Sequence, residues 1–336
     1  MIDYWFVQLV RGLRMPKWLV WAVLFSLLST LFFAGFGVFT HPAGEPGYLQ
    51  AVGTGLFFAF INAYTIVGGA YVIERTETAL RQLAPLAHLS AEETDKLADH
   101  VRGVPTRWAV IVAVLAACAG IAHALLLFGG PAGLISTVLG KGEDIATFCG
   151  TVLTWFVITH VVVACSRNAT LFARFGRDRV DLDLATPSSL APFGTIALVP
   201  ALGLVGTQVA YPLLSLEFQF NPVAVLPGFL VTLAALLYMF LRPTWPLHQR
   251  LRAAKAAEQA RVEQDIHAWQ RAQNKPLNDR ALADLQPRLA YREYVNSLPV
   301  WPFDMPLIAR WAFYLTIPPL TWVCAAFVEV FVERAI

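Results

Sequence analysis

The chain has 336 residues, of which 57% are apolar and only 14% charged, and its mean hydropathy is +0.57. Soluble domains carry about 25% charged residues, so this composition excludes a soluble globular protein and predicts a polytopic membrane protein. The formal net charge of +2 favours no class of partner, and the chain lacks the glycine-rich motifs and the basic patch that indicate nucleotide or nucleic-acid binding.

Apolar stretches of about 20 residues predict membrane-spanning helices. Seven such stretches follow one another along the chain: 18–39, 52–73, 108–129, 145–165, 190–214, 223–241 and 307–331. The fifth contains Pro200, Gly203 and Gly206, which membrane helices tolerate when neighbouring helices satisfy the freed backbone groups. We therefore expect an all-α fold with seven transmembrane helices.

Lysine and arginine residues are distributed unevenly among the loops. Four segments hold 23 of the 25 basic residues: 1–17, 74–107, 166–189 and 242–310. The other loops hold only Lys141 and Arg334. Because basic residues accumulate on the cytoplasmic side of membrane proteins, this split predicts a cytoplasmic N-terminus and a C-terminus outside.

The predicted spans divide the chain into three parts. Residues 1–241 form a six-helix transmembrane bundle with cytoplasmic helical loops at 74–107 and 166–189, where residues 166–184 continue the fourth helix inward. In the first of these loops, Ser90 and Glu93 have the spacing of a capping box that starts a short helix. Residues 242–306 are expected to form a cytoplasmic helical hairpin and a pre-helix, and residues 307–336 form the seventh transmembrane helix.

Polar side chains inside spans are the natural places to look for a functional site. Seven are candidates for lining a small-molecule cavity: Asn62, Tyr64, Thr65, His123, Thr151, Thr154 and Gln208. Small residues in the same spans also mark tight helix packing. His123 and His160 are expected to differ in height by roughly 15 Å at 1.5 Å per residue, so one haem iron cannot bind both, and hydrogen bonding within the bundle is the better interpretation.

The last predicted helix carries two adjacent prolines in mid-span and two glutamates one turn apart near its end. The prolines should kink the helix, and several copies meeting at one axis would place an acidic ring at the outer mouth of a cation pore. Alternatively, the first glutamate lies at the headgroup level, solvated or paired with Arg334. The candidates for lining the pore are Pro318, Thr321, Trp322, Ala325, Val328, Glu329 and Glu333.

The sequence contains none of the residue patterns that mark a catalytic or metal-binding site. No Ser–His–Asp arrangement, paired intramembrane carboxylates or H-E-x-x-H motif occurs, and the four cysteines lack C-x-x-C spacing. We therefore expect neither an enzyme nor a protein that binds a metal or cofactor.

The predicted topology resembles that of the insect odorant and gustatory receptor superfamily, on the basis of seven helices, a cytoplasmic N-terminus, inward helical extensions and a short cytoplasmic helix before the last span. The chain is also similar to a group of prokaryotic membrane proteins of no known activity through "LRQLAPLAHLS" (80–90), "RVDLDL…LAPFG" (179–194) and "YVNSLPVWPFD" (294–304). The first resemblance implies a homotetrameric cation channel whose last helix lines the pore. Together they imply the cytoplasmic membrane of a prokaryote.

The leading expectation is a homo-oligomeric, ligand- or stimulus-gated cation channel in the lipid bilayer, with a tetramer favoured and a small-molecule ligand compatible with the polar spans. The alternative is a non-conducting membrane scaffold or sensor that binds a partner through residues 242–306. A transporter is the third hypothesis, but the two halves of the chain show no internal repeat of the kind that transporters usually have.

Overall fold

Helices make up most of the chain in the computed structural model, which describes residues 1–40, 45–138, 142–182, 187–215, 222–272 and 279–301, together with Ala309, Phe313, Thr316 and Leu320. The α-helices in these ranges are α1 (Trp5–Gly12), α2 (Lys17–Gly35), α3 (Tyr48–Leu83), α4 (Ala91–Arg102), α5 (Thr106–Leu127), α6 (Pro131–Val138), α7 (Gly142–Asp178), α8 (Ala191–Gln208), α9 (Pro222–Ala272) and α10 (Asp279–Ser297). Single 3₁₀ turns occupy Pro85–Ala87, Pro187–Leu190 and Tyr211–Ser215. Two short strands, β1 (Ile2–Asp3) and β2 (Gly103–Val104), pair antiparallel.

Six of the described helices are long and apolar enough to cross a membrane: α2, α3, α5, α7, α8 with the turn that follows it, and α9. They coincide with the first six predicted spans, which are confirmed as helices. The chain is therefore an all-α polytopic membrane protein. The seventh predicted span, 307–331, lies outside the described residues apart from the four isolated positions named above.

Three of the spans are much longer than a bilayer requires. At 1.5 Å per residue, the 36 residues of α3, the 37 of α7 and the 51 of α9 extend roughly 54, 56 and 77 Å. All three start at one end of the bundle and continue past the other end, where the N-terminus also lies. We call the end with the N-terminus the near side and the opposite end the far side.

The centre of the bundle is formed by α3 and α7, which pack against each other. α3 also contacts α2 and α8, and α7 also contacts α5 and α9. Glycines lie at these seams: a Cβ on Gly120 of α5 would come within 2.8 Å of the Val152 Cα of α7, and a Cβ on Gly150 of α7 within 2.7 Å of the Phe58 ring of α3. Since lipid supplies no hydrophobic drive for helix association, such close contact is a main source of stability.

Polar contacts fasten the near side. The pairing of Ile2 with Val104 fixes the N-terminus beside the α4–α5 connection. Arg167 of α7 donates to the Tyr4 hydroxyl at 3.1 Å and to the Gly103 carbonyl at 3.3 Å. Burial raises the pKa of Tyr4 to about 12, although the Arg167 guanidinium acts in the opposite direction. The N-terminal segment is thereby held on the core helix α7.

A nearly buried carboxylate, Glu77, links three elements on the same side. Arg81 lies 3.2 Å from it on α3, Arg11 lies 3.6 Å away on α1, and Arg102 lies 3.7 Å away at the end of α4. Burying an unpaired carboxylate would be costly, so the surrounding guanidiniums are what allows Glu77 to occupy this position.

The capping box predicted at the start of α4 is confirmed. The Glu93 backbone N–H donates to the Ser90 hydroxyl, and the Ser90 backbone N–H donates to the Glu93 carboxylate at 3.0 Å. This backbone hydrogen bond is the main cause that lowers the pKa of Glu93. Because the folded-state pKa is lowered, the contribution of the box is lost as the pH falls through that value.

The near-side end of α7 differs from the prediction. The helix was expected to continue to residue 184, but it ends at Asp178 and residues 179–182 are not helical. Arg250 of α9 explains the stop, because its guanidinium donates to the Gly176 carbonyl at 2.7 Å and to the Val180 carbonyl at 2.9 Å. A cation at this position satisfies carbonyls that have no helical partner and complements the helix dipole.

Helix α10 packs antiparallel against the near-side half of α9. The Tyr291 hydroxyl donates to Glu258 at 3.0 Å, Gln259 donates to the Asn296 side chain at 2.8 Å, and Arg288 contacts Asp265. Val262, Ile266 and Val295 form a small apolar core between the two helices. The chain therefore returns along α9 toward the membrane.

A pair of glycine substitutions tests the packing of the bundle. Gly120→Ala and Gly203→Ala gain the same helix propensity, about 1 kcal/mol, but the nearest atom to a Cβ at Gly203 is 3.6 Å away, which is an ordinary contact. We expect Gly203→Ala to keep or raise the thermal stability of the detergent-solubilised protein, and Gly120→Ala to lower the free energy of unfolding by about 1–3 kcal/mol through overpacking. Equal effects of the two substitutions would contradict this account of the α5–α7 seam.

Candidate ligand cavity

A cavity of about 430 Å³ lies between α3, α5, α7 and α9 in the far-side half of the bundle. This volume is within the range of small-molecule sites. The residues that line it include aromatic, polar and aliphatic side chains: Gln50, Thr54, Phe57, Phe58, His123, Leu127, Phe128, Asp144, Thr147, Thr151, Thr154, Trp155, Ile158, Tyr211, Leu214, Val225, Gly228 and Val231. We call it the far-side cavity.

The close approach of α5 and α7 positions one wall. His123 follows Gly120 by three residues and Trp155 follows Val152 by three residues, so both side chains lie near the contact between the two helices. The Trp155 indole N–H donates to His123 Nδ1 at 2.8 Å. An indole N–H can only donate, so Nδ1 carries no proton and Nε2 carries it.

The N–H at His123 Nε2 forms a hydrogen bond with the backbone of α9. Nε2 donates to the Val223 carbonyl at 3.0 Å. Pro227, four residues later inside α9, has no N–H to give to that carbonyl. His123 therefore donates to a carbonyl to which Pro227 cannot donate, and both ring nitrogens are engaged in hydrogen bonds within the protein.

A hydrogen bond between Asn62 and Thr154 joins α3 to α7 beside the cavity. The Asn62 amide donates to the Thr154 hydroxyl at 2.9 Å and to the Phe58 carbonyl at 2.8 Å. Asn62 is only 1% exposed, and its Oδ1 has no hydrogen-bond partner among the residues that the structure describes. This bond fixes the distance between α3 and α7 and turns the Thr154 hydroxyl into an acceptor.

Three aromatic side chains from α3 and from the turn after α8 also line the cavity. The Phe57 ring lies 5.3 Å from the Phe58 ring and 5.5 Å from the Tyr211 ring, measured between centroids. Gly150 leaves the space that the Phe58 ring occupies, and Gly228 does the same for the Tyr211 hydroxyl. Four aromatic side chains therefore line the cavity: Phe57, Phe58, Tyr211 and Trp155.

The cavity continues into a polar groove of about 240 Å³ that carries three carboxylates. Glu45, Glu143 and Asp144 line this far-side groove. Four of its residues also line the cavity: Gln50, Thr54, Asp144 and Thr147. The groove therefore adjoins the cavity at the far side.

The seven ligand-cavity candidates divide between three places. His123, Thr151 and Thr154 line the far-side cavity, and Asn62 supports it from behind. Tyr64 and Thr65 line a separate crevice of about 20 Å³ between α3, α7 and α8, which has room for a water molecule only. Gln208 is buried next to Thr207 and lines neither space.

Several residues that line the cavity were not predicted from the sequence. Trp155, Phe57, Tyr211 and Asp144 are the most important of these. One signal could have identified part of the set, because Thr147, Thr151, Thr154, Trp155 and Ile158 recur at helical spacing and share one face of α7. Tyr211 lies in a turn after α8, and no periodic pattern indicates its position.

The two span histidines do not form a metal or haem pair among the described residues. His160 Nδ1 donates to the Phe156 carbonyl at 2.7 Å, and its ring lies beside Phe156 and Trp5. The residues that the structure describes contain no group of three or more His, Cys, Asp or Glu side chains arranged for a metal ion. The seven pore candidates from Pro318 to Glu333 all lie outside the described residues.

Comparisons of the chain with protein-family models, with curated proteins and with solved structures found no significant match. A functional assignment therefore depends on the geometry of the cavity and on the sequence itself.

The hydrogen bonds of the two span histidines predict opposite tautomers. His123 should carry its proton on Nε2, and His160 should carry one on Nδ1, because a carbonyl oxygen can only accept. Nitrogen NMR of histidine-labelled protein in lipid measures this, with each signal assigned by its loss in His123→Asn or His160→Asn. In Trp155→Phe, the His123 Nδ1 signal should shift while the His160 signals stay unchanged. A proton on His123 Nδ1 would contradict the arrangement of this wall.

Proposed function

We propose that the protein is a membrane receptor that binds a small molecule in the far-side cavity and couples this binding to cation conduction along the last helix of a homo-oligomer. The cavity carries this proposal. It is open at one side of the bundle, it has the size of a ligand site, and its walls combine aromatic faces with a few polar groups.

The charge pattern supports an outward orientation of the cavity. All 21 lysine and arginine residues that the structure describes lie in near-side segments: 1–17, 74–107, 166–182, 242–272 and 279–301. With the near side cytoplasmic, the far-side groove and its three carboxylates face the outside. Ligands would then reach the cavity without crossing the membrane.

Helix α9 supports a route from the cavity to the last span. At its far-side end, Val225, Gly228 and Val231 line the cavity. The helix continues without interruption to His248, about 30–35 Å away at 1.5 Å per residue. A displacement of the cavity wall would therefore be carried toward the near side along one continuous helix, which can bend at Pro243 and Pro246.

At the near side, α9 holds the segment that leads into the predicted seventh helix. The His248 ring stacks on the Trp301 ring with centroids 3.9 Å apart, and His248 Nδ1 donates to the Val300 carbonyl at 2.8 Å. Lys255 donates to the Asn296 carbonyl at 2.7 Å and to the Leu298 carbonyl at 2.8 Å. These contacts favour movement of α9 and of the last helix together.

The pore itself is proposed from the sequence. Pro318 removes a backbone donor in mid-span and would shape the helix, while Glu329 and Glu333 would place carboxylates at the outer mouth of an oligomeric pore. A tetramer is the stoichiometry that we favour, on the basis of the resemblance to insect receptors.

Replacing the two glutamates tests the pore. In planar bilayers, the purified protein should conduct cations in preference to anions, and Glu329→Gln combined with Glu333→Gln should lower the cation current roughly threefold at low salt, with a smaller effect at high salt because the ring is screened. Glu263→Gln, on the exposed face of near-side α9, serves as the matched control. Absence of any current, or equal currents in the double variant and the control, would overturn the pore proposal.

A second candidate function is a non-conducting scaffold or sensor whose near-side hairpin binds a partner. One observation favours it: Tyr291 and Tyr294 of α10 stack with their rings 6.2 Å apart and are 47% and 44% exposed. Paired exposed tyrosines are typical of protein-binding surfaces, since they bury a large area at little conformational cost.

The tyrosine pair gives this alternative its own test. If the hairpin binds a partner, a protein that copurifies with the full-length chain from its membrane should be lost in Tyr291→Ala combined with Tyr294→Ala. It should be retained in Gln264→Ala, an exposed position on the neighbouring helix α9. Retention of the partner by the double tyrosine variant would rule out this surface.

A further inference from the structure

The charged side chains that the structure describes in the linings of the far-side cavity and groove are carboxylates. Asp144 lines both the cavity and the groove, and Glu45 and Glu143 add two carboxylates at the groove. Neither lining contains a lysine or an arginine among the residues that the structure describes. The Asp144 carboxylate, which lines both spaces, favours a cation over an anion along this route.

Three hydrogen-bond donors of the cavity lining are used within the protein. The Trp155 N–H is given to His123, the His123 N–H is given to Val223, and the Thr147 hydroxyl is given to the Glu143 carbonyl at 3.0 Å. The Thr154 hydroxyl accepts from Asn62. Among the residues that the structure describes, Asp144 is the one carboxylate in the cavity lining, and a carboxylate accepts hydrogen bonds most strongly from a cationic donor.

The aromatic walls favour the same ligand chemistry. Phe57, Phe58, Tyr211 and Trp155 surround the interior, and their π faces are electronegative. An organic cation gains attraction from such faces, and more of it when the site excludes water. The aliphatic side chains in the lining, such as Leu127 and Val231, would contact an apolar part of the same molecule.

We propose that the ligand of the far-side cavity is a small organic ammonium ion with an apolar body. Its ammonium group donates to Asp144 at the junction of the cavity and the groove, and its apolar body lies between Phe57 and Trp155. This inference rests on the proposed function, because it names the chemical class of ligand for the same cavity.

Three probes of similar size and different charge test the inference. We would titrate 2-phenylethylammonium chloride, 2-phenylethanol and sodium phenylacetate into the full-length protein in nanodiscs by calorimetry, and subtract titrations into empty nanodiscs. The ammonium ion should bind about tenfold more tightly than the neutral alcohol, as expected from one partly exposed ion pair plus one cation–π contact, and the carboxylate anion should bind most weakly.

A matched pair of variants locates the charge effect. Asp144→Asn and Asp178→Asn remove the same group from opposite ends of α7, and only Asp144 lines the cavity. Asp144→Asn should weaken binding of the ammonium ion about two- to fivefold and leave binding of the alcohol unchanged. Asp178→Asn should change neither.

The outcomes distinguish failure of the inference about ligand chemistry from failure of the proposed pore. Equal affinity for the ammonium ion and the alcohol, no detectable binding of the ammonium ion, or equal effects of the two aspartate variants would overturn the inference about ligand chemistry. Tight binding of the alcohol alone would overturn it while leaving a ligand cavity in place. The pore proposal fails separately, by absence of current in the bilayer experiment, whatever these titrations give.

Discussion

Close contact between α3, α5 and α7 is the constraint on which the rest of the structure depends. Membrane helices gain little from burying apolar surface against each other, because lipid is equally apolar, and so their association relies on fit. Gly120 and Gly150 provide that fit by allowing a backbone and an aromatic ring to approach where a Cβ would collide. His123 and Trp155 lie one turn beyond the first of these contacts, and Phe58 lies at the second, so the cavity walls are a consequence of the seams.

The polar groups within the bundle obey the same requirement for internal satisfaction. A bilayer has no water to solvate a freed carbonyl, so the loss of one hydrogen bond at Pro227 must be met from elsewhere in the protein. His123 meets it at Val223, and Trp155 in turn fixes which nitrogen of His123 can donate. Hydrogen bonds thus connect Trp155 of α7, His123 of α5 and the Val223 carbonyl of α9. They attach the far-side end of α9 to the α5–α7 contact.

The positions of the first six spans could be predicted from the sequence because they depend on local composition: a run of about 20 apolar residues is a sufficient signal for a span. The capping box at Ser90 and Glu93 was equally local. The end of α7 was not, since it is set by Arg250, 72 positions further along the chain than Asp178. The cavity shows the same division. His123, Thr151 and Thr154 are unusual enough in a span to be noticed singly, whereas Phe57 and Tyr211 are ordinary residues that become a wall only through tertiary packing.

Helix α9 runs from the cavity to the near side of the bundle. Its prolines occur in two places: Pro227 lies at the cavity, and Pro243 and Pro246 lie just before His248. A proline weakens a helix locally by removing a backbone donor, so α9 can bend most readily at these two places. At the first place the freed carbonyl is held by His123, and shortly after the second the His248 ring is held by Trp301. In the proposed function, a ligand that displaces the cavity wall would act on α9 near Pro227, and the segment that leads into the predicted last helix is attached just after Pro243 and Pro246.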